Sequence, residues 1–120
     1  MLDLIAEGLI PMPMWESDCT KRLEIIKDIP AGKAIYWFER ADIVKAREVL
    51  GDIVALRGNV SPSTLTTGTP EDVDAAVKYI VDNVWNKGGR IILDAAFGLP
   101  DETPVENVRA MFRAARKYAG

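Results

Sequence analysis

Three acidic side chains, Glu16, Glu39 and Asp94, each stand at the end of an apolar run of the sequence. A carboxylate at the end of a buried strand is costly to leave unpaired. Two carboxylates that lie close together raise one another's pKa and can then work as an acid–base pair. These three residues are therefore the candidate catalytic groups of the chain.

Four further residues are candidates for substrate binding: Trp15, Asp18, Asn59 and Phe97. The aromatic rings could wall an apolar pocket, and the polar side chains could bind a substrate. Each also fits a purely structural role. Asp18 suits a helix cap, Asn59 suits a turn beside Gly58, and Trp15 suits the core or an interface.

The chain has one cysteine, Cys19, and no histidine. A four-ligand Cys/His zinc site cannot be assembled from these residues, and no intrachain disulfide can form. We therefore expect no metal and no cofactor. A reducing compartment, the cytoplasm, is the expected location.

The overall charge makes two classes of partner poor matches. A formal net charge of −3 and a pI near 5.0 give no basic patch for nucleic acid or for an acidic membrane surface. The apolar runs are far shorter than the ~20 residues of a transmembrane helix. The N-terminal segment carries Asp3 and Glu7 and has no basic stretch, so it does not resemble a signal peptide.

Turn residues divide the chain into four strand-then-helix units behind a short helix. The best-marked helix has Thr69 as its cap, Pro70 at its first position and Asp72 as a capping-box acid, and the last helix is predicted to start in the same way at Thr103. The predicted apolar stripe of the last helix is Val105, Val108, Met111, Phe112 and Ala115. The predicted strands are residues 9–15, 34–38, 53–56 and 90–93, and the helices are residues 1–8, 20–29, 42–50, from 70 and from 104.

Alternation of this kind predicts an α/β domain with parallel strands and right-handed crossovers. At 120 residues the chain is expected to be one domain, residues 1–120. Two architectures fit the pattern: a small doubly wound sheet, or four βα units that make half of a TIM (β/α)8 barrel. The doubly wound alternative normally has a glycine-rich phosphate loop after its first strand, and residues 15–18 (Trp-Glu-Ser-Asp) are not one.

Several short sequence segments, in the same order along the chain, resemble motifs of the uroporphyrinogen decarboxylase and corrinoid (cobalamin) methyltransferase family. The most specific is Gly58-Asn59-Val60 followed by Gly68-Thr69-Pro70, which is similar to the family's "GNVxxxLL…GTPEEV" signature. The other similar segments are residues 42–51, 88–93, 103–111 and 117–120. The resemblance implies the C-terminal half of a TIM barrel, and it favours the half-barrel over the doubly wound sheet.

The same resemblance implies either a carboxy-lyase or a corrinoid-dependent methyltransferase of porphyrin or corrinoid metabolism. In the zinc-dependent methyltransferases a His-x-Cys pair follows the strand that here ends in Met14-Trp15-Glu16, and a second cysteine lies in the loop that here is residues 96–98. In the decarboxylases that loop carries a histidine where this chain has Phe97. None of these ligands is present. Two hypotheses therefore stay open: part of a barrel enzyme that is incomplete alone, or a non-catalytic binding or assembly module that keeps the fold.

A half-barrel has two unpaired sheet edges and an uncovered inner face. We therefore expect a homo-oligomer, a dimer that buries the inner face by closing a barrel or by packing sheet on sheet, unless residues 1–9 cover that face within one chain. An N-terminal half-barrel or a corrinoid protein are further candidate partners. The acids at the strand ends suit a cationic or hydroxyl-rich substrate better than a uroporphyrinogen with its eight carboxylates.

Overall fold

Four short parallel strands alternate with helices along the chain. The computed structural model describes all residues, 1–120. The strands are β1 (Met14–Trp15), β2 (Ile35–Phe38), β3 (Ala55–Val60) and β4 (Ile91–Ala95). The helices are α1 (Leu2–Ala6), α2 (Leu23–Ile26), α3 (Ile43–Leu50), α4 (Pro62–Thr67), α5 (Pro70–Asn83) and α6 (Val105–Ala119), with short 3-10 turns at Thr20–Arg22 and Trp85–Lys87.

The strands lie in the order β1-β2-β3-β4, all parallel, so neighbours in the sequence are neighbours in the sheet. A doubly wound sheet needs a point at which the strand order reverses. The present sheet has no such point, so that alternative is wrong. The helices α2, α3, α5 and α6 contact one another in turn and share a single hydrophobic core with the sheet. This is the arrangement of half a (β/α)8 barrel, as the sequence predicted.

One face of the sheet, here called the outer face, is sealed by the helices. Tyr36, Phe38, Leu56 and Val60 point into this layer, and each is at most 1% exposed. They alternate along β2 and β3 with half-buried residues, because successive side chains of a strand point to opposite faces. Burial of these large apolar groups is the main stabilising contribution to the fold.

The opposite face, here called the inner face, is covered by no other element. It carries Trp37, Arg57, Asn59, Ile92 and Asp94, which the strand register brings side by side. Ile92 is 47% exposed, and the other four are half-buried. The inner face therefore combines polar and aromatic groups, in contrast to the outer face.

Strands β3 and β4 extend further than the sequence predicted. The predicted β3 ended at Leu56, whereas the strand runs to Val60 and includes Asn59. Gly58 lies within it at φ 122, and a Cβ there would lie 2.7 Å from the Phe38 carbonyl oxygen, so only glycine fits. Asp94 likewise lies within β4 and not after it. The sequence did not predict this extension of β3, because the polar residues Arg57 and Asn59 interrupt the apolar run there.

The predicted helix starts have mixed outcomes. The capping box of α5 is confirmed: the Thr69 hydroxyl accepts from the Asp72 N–H, and the Asp72 carboxylate accepts from the Thr69 N–H. The predicted cap of α6 at Thr103 is wrong. Pro104 occupies the N-cap position, the Thr103 hydroxyl is buried without a partner, and Glu106 pairs with Arg109 instead of reaching back.

The predicted apolar stripe of α6 is only partly right, because Met111 is buried and Ala115 packs against the core but other members are exposed. Asn107, Ala110, Met111 and Ala114 are buried, whereas Val105 and Phe112 are 62% and 58% exposed. The polar Asn107 belongs in the core because its amide donates to the carbonyl oxygens of Leu65 and Gly68, at 2.8 Å each. Those carbonyls lie at the C-terminal end of α4, a helix that was not predicted from the sequence.

No helix of the structure combines the length and the apolar character that crossing a bilayer requires.

Candidate functional site

Arg57 is the central charged group of the inner face. Its Nε and Nη2 atoms lie 2.8 and 2.6 Å from Asp94 Oδ2, and its guanidinium carbon lies 3.6 Å from the centre of the Trp37 ring. Its Nη1 donates to the Met12 sulfur at 3.2 Å. The ion pair and the aromatic contact together fix the orientation of the guanidinium.

The two aromatic rings next to Arg57 form one apolar wall. Trp37 and Phe97 pack edge to face, with ring centres 5.4 Å apart, and the Trp37 indole N–H donates to the Ala95 carbonyl at 3.2 Å. Phe97 has φ 52, a left-handed conformation that bulky residues adopt rarely. Such strain is held only when the surroundings determine it, and it is concentrated at functional sites. Phe97 therefore contacts the predicted site, on the side where the resemblance would place a histidine.

The three candidate carboxylates differ in what they bind. Asp94 is fully engaged, because Oδ2 binds Arg57 and Oδ1 accepts from the Ala95 N–H at 2.7 Å. Glu39 uses one oxygen, Oε2, to accept from the Ser17 N–H at 2.5 Å. Glu16 is exposed. Only Glu39 combines partial burial with a carboxylate oxygen free for further chemistry.

Glu39 lines an open depression of about 600 Å³ at the carboxyl ends of β2 and β3. Its other lining residues are Arg40, Asn59, Ser61, Pro62 and Ser63. Asn59 is held in place because its amide donates to the Ala41 carbonyl at 2.7 Å. All of the side chains except Pro62 are polar, so the depression suits a ligand group that forms hydrogen bonds.

Asp18 stabilises the loop after β1 through hydrogen bonds to Thr20. Its carboxylate accepts from the hydroxyl and the N–H of Thr20, at 2.5 and 3.0 Å, and these two hydrogen bonds lower its pKa below the ordinary value. The Thr20 hydroxyl in turn accepts from the N–H of Asp42, which caps α3. Asp18 thus stays ionised at the rim of the sheet and adds negative charge there.

Trp15 lies on the outer face, away from the other candidates. Its ring packs edge to face against Tyr36, with centres 5.3 Å apart, and its indole N–H is buried without a partner. The structure therefore separates Trp15 from Asn59, Phe97 and the carboxylates. Its burial against the core matches the structural role that the sequence left open.

No three His, Cys, Asp or Glu side chains lie close enough together to hold a metal ion. Cys19 is buried at the edge of the core, and burial raises the pKa of its thiol. A thiol of this kind is a poor nucleophile and a poor metal ligand, since both roles need the thiolate.

Arg57 is not among the site residues predicted from the sequence, although the local pattern contains a signal for it. Within residues 55–60, Arg57 and Asn59 alternate with Leu56, Gly58 and Val60. This period of two is typical of a strand with one polar face. Recognising it would have placed a charged residue on the inner face.

Comparison with known proteins places the chain in a family. Residues 7–118 match the sequence profile described as uroporphyrinogen decarboxylase (URO-D). The chain is similar to the uroporphyrinogen decarboxylase of Coxiella burnetii, at 33% identity over 78 residues (65% of this chain and 21% of the relative). It is also similar to that of Chlorobium phaeovibrioides, at 40% over 76 residues (60% and 20%).

A second kind of relative carries a different name. The methylcobamide:CoM methyltransferase MtbA of Methanosarcina mazei is 34% identical over 94 residues, which are 78% of this chain and 26% of the relative. The matched region thus spans only a fifth to a quarter of the length of these curated relatives.

Proposed function

Because the chain belongs to the uroporphyrinogen decarboxylase family, we propose that it forms the carboxylate-binding wall of a decarboxylase- or methyltransferase-type barrel. The observation that carries this proposal is Arg57, a fixed guanidinium on the uncovered inner face. Active sites of barrel enzymes lie at the carboxyl ends of the strands. The depression lies at those ends, and its lining residue Asn59 is the register partner of Asp94, which binds Arg57.

The geometry around Arg57 suits one anionic oxygen of a substrate. Nη1 donates only to the thioether of Met12, which is a weak acceptor, so a carboxylate can replace that contact at little cost. Asp94 and Trp37 hold the guanidinium in place before a ligand arrives, which reduces the entropy lost on binding. Trp37 and Phe97 provide an apolar surface for the hydrocarbon next to the carboxylate.

The surrounding charge limits how many carboxylates the substrate carries. Asp18 and Glu39 place two negative charges near the strand ends, Arg40 places one positive charge beside them, and Arg57 already shares its charge with Asp94. A uroporphyrinogen has eight carboxylates and is poorly matched to Arg57 and Arg40, since acidic side chains stand beside both of these arginines. A substrate with a single carboxylate, and with a hydroxyl or cationic group toward the depression, fits better.

Within this proposal the residues have separate roles. Arg57 binds the substrate carboxylate, and Asp94 is a positioning residue that acts through Arg57. Glu39 is the candidate general acid or base, because it lines the depression with one carboxylate oxygen unbound. Other groups needed for turnover are expected from outside these residues. With one buried cysteine and no disulfide, the cytoplasm is the proposed compartment.

A titration with benzoate tests the proposal, because benzoate has one carboxylate for Arg57 and one ring for Trp37 and Phe97. Proton–nitrogen NMR spectra resolve the three indole N–H signals, and the Trp37→Phe variant assigns that of Trp37. We expect benzoate to shift the Trp37 signal. The Arg57→Gln variant should weaken binding at least about tenfold, the effect of losing a hydrogen bond to a charged group.

Arg40→Gln is the matched control, since Arg40 is an exposed arginine that also lines the strand-end depression. It should leave the benzoate affinity within about twofold of the unmodified chain, since exposed charges contribute little. If benzoate leaves the Trp37 signal unmoved, or if Arg57→Gln binds as well as Arg40→Gln, the inner face does not recognise carboxylates through Arg57.

A non-catalytic binding module is the second candidate, and the state of Asp94 favours it. Both Asp94 oxygens are engaged, and the chain has no histidine to act as an acid or base. Anaerobic incubation with uroporphyrinogen III separates this candidate from a decarboxylase. We expect no coproporphyrinogen above the buffer blank, and its formation would overturn both the module and the single-carboxylate reading.

A further inference from the structure

The chain exposes more surface than a compact monomer of its mass. The usual scaling predicts about 6,400 Å² for a protein of 13.2 kDa, whereas this chain exposes 7040 Å². Its radius of gyration is 14.5 Å, against about 13.6 Å expected for a domain of this length. The excess of about 600 Å² per chain is about 1,200 Å² for two copies, the lower end of stable interfaces.

The first open edge of the sheet, at β1, can still pair with another strand. The carbonyls of Pro11, Pro13 and Trp15 accept from the N–H groups of β2, so residues 11, 13 and 15 face that strand. Residues between them direct their N–H and C=O groups outward, since successive residues of a strand alternate in this respect. Prolines normally protect an edge. Here they face inward, and Met12 and Met14 keep free backbone donors on the open side.

The second open edge, at β4, has the complementary arrangement. Leu56 donates to the Arg90 carbonyl and Ala96 donates to the Val60 carbonyl, so the even-numbered residues of β4 face β3. Ile91 and Leu93 therefore direct their N–H and C=O groups to the open side. Both strands run in the same direction, so β4 of one copy can continue the parallel sheet with β1 of another.

An apolar surface lies beside the open edge of β4. Val105, Val108, Phe112, Ala115 and Ala119 follow one another at three- and four-residue spacing along α6, next to its buried face. Ala115 and Ala119 also line a groove of about 230 Å³ whose other walls are Val81, Trp85, Ile91 and Leu93. We call these α6 residues the second stripe; the single stripe predicted from the sequence combines residues of the second stripe with the buried Met111.

The two open sides of the half-barrel have opposite charge. Residues 1–29, which form the β1 side, contain six acidic and three basic side chains. Helix α6, on the β4 side, contains one acidic and four basic ones. The β1 side also exposes apolar groups for a second copy to cover, including Ile10 at 65% and Ile25 at 75%.

From these five observations we propose that two copies of this chain assemble around a two-fold axis into a closed eight-stranded barrel. β4 of each copy pairs with β1 of its partner, and the second stripe of α6 packs against the partner's N-terminal segment. A two-fold axis along the barrel makes both contacts identical and leaves no edge open. Each Arg57 brings its own Asp94 into the shared interior, so no unpaired like charges meet there.

Sedimentation equilibrium tests the assembly, with Phe112→Glu on the second stripe and Tyr79→Glu as the matched control. Phe112 and Tyr79 are 58% and 56% exposed, and Tyr79 is on α5, outside both open sides. We expect the unmodified chain and Tyr79→Glu at twice 13.2 kDa. Phe112→Glu should raise the dimer dissociation constant by about 30-fold or more, as for a central interface residue. A monomer at 100 µM, a larger open assembly, or equal effects of the two variants would overturn the proposal.

A disulfide test reports the strand pairing itself. One row of side chains crosses the sheet from Met14 through Trp37 and Arg57 to Ile92. A barrel of shear 8 shifts this row by four residues over half of its ring, so Ile92 should lie beside residue 10 of the partner copy. In the Ile10→Cys/Ile92→Cys double variant both new thiols are on the inner face, at opposite edges of one sheet. Within one chain they are at least three strand spacings apart, about 14 Å, beyond the ~7 Å that a disulfide spans. Oxidation should therefore give a covalent dimer, and the two single variants should not. Absence of the cross-link in both this variant and Met12→Cys/Ile92→Cys would exclude β4–β1 pairing. Neither experiment involves benzoate or Arg57, so this proposal and the proposed function fail independently.

Discussion

The two faces of the central sheet are built from alternate residues of the same strands, yet different forces determine them. On the outer face Tyr36 and Phe38 are fully buried under helices. On the inner face their neighbour Trp37 is half-buried and contacts Arg57 and Phe97. Hydrophobic burial therefore specifies the outer face, whereas ion pairing and aromatic contacts specify the inner one. The stability of this chain and the proposed ligand binding at Arg57 should consequently respond to different residues, even where those residues are adjacent on one strand.

The largest difference in the free energy of unfolding is expected between variants of the adjacent residues Phe38 and Trp37. Phe38→Ala removes a ring that is 0% exposed and should lower the free energy of unfolding by about 3–5 kcal/mol. Trp37→Ala, on the half-exposed face, should cost less than half as much. Urea unfolding followed by circular dichroism measures both. If both variants lose the same free energy of unfolding, the inner face is also a packed core and does not differ from the outer face in what stabilises it.

Asn107 tests whether the outer layer tolerates a missing polar contact. Asn107→Ala removes one buried hydrogen bond to the Leu65 carbonyl and one partly buried hydrogen bond to the Gly68 carbonyl, and it should cost about 2–3 kcal/mol. Asn83→Ala is the control, because the Asn83 amide donates to a carbonyl of its own helix at an exposed position. The control should lose at most about 0.5 kcal/mol. Similar losses in the same urea experiment would show that Asn107 does not connect α6 to the end of α4.

Tyr36 gives the outer face a pH dependence. Its hydroxyl donates to the Ile26 carbonyl at 2.6 Å, and burial raises its pKa. The neutral phenol is therefore favoured in the folded state. Its contribution to stability is complete below the unfolded pKa of about 10 and is lost as the pH rises through the folded pKa.

The Tyr36→Phe variant should accordingly be about 1 kcal/mol less stable than the unmodified chain at pH 8. This difference in stability should become smaller above pH 10, since only the unmodified chain loses the contribution of the Tyr36 phenol. Cys19, whose pKa is also raised by burial, remains in both proteins and affects them equally. A gap that is constant between pH 8 and pH 11 would contradict the burial of the phenol.

The outer face was largely predictable from the sequence, and the inner face was not. An unbroken apolar run predicted β2, and Thr69, Pro70 and Asp72 predicted the start of α5. Both predictions rest on local chemistry that the fold preserves. The half-barrel itself followed from the resemblance, since the βα pattern alone also fitted a doubly wound sheet.

The inner face depends on which residues of neighbouring strands stand side by side. Asp94 was expected as a candidate catalytic carboxylate, but the strand register brings Arg57 close enough to form an ion pair with Asp94. Trp15 and Trp37 were equivalent in the sequence, and only the pleat of the sheet separates them onto opposite faces. Phe112 was assigned to the core because its spacing fits two adjacent stripes of α6. Sequence periodicity cannot distinguish these cases, because each depends on contacts between distant segments.

The most direct test of the account compares Leu56→Ala with Arg57→Gln, two adjacent residues of β3 on opposite faces. For each variant the free energy of unfolding and the benzoate affinity are measured on the same preparation. Leu56→Ala should lose about 2–5 kcal/mol of stability. While folded, it should bind benzoate within about twofold of the unmodified chain, since Leu56 points away from the site. Arg57→Gln should stay within about 1 kcal/mol in stability and bind benzoate at least about tenfold more weakly. The account is contradicted if Arg57→Gln loses as much stability as Leu56→Ala, or if it keeps the benzoate affinity of the unmodified chain.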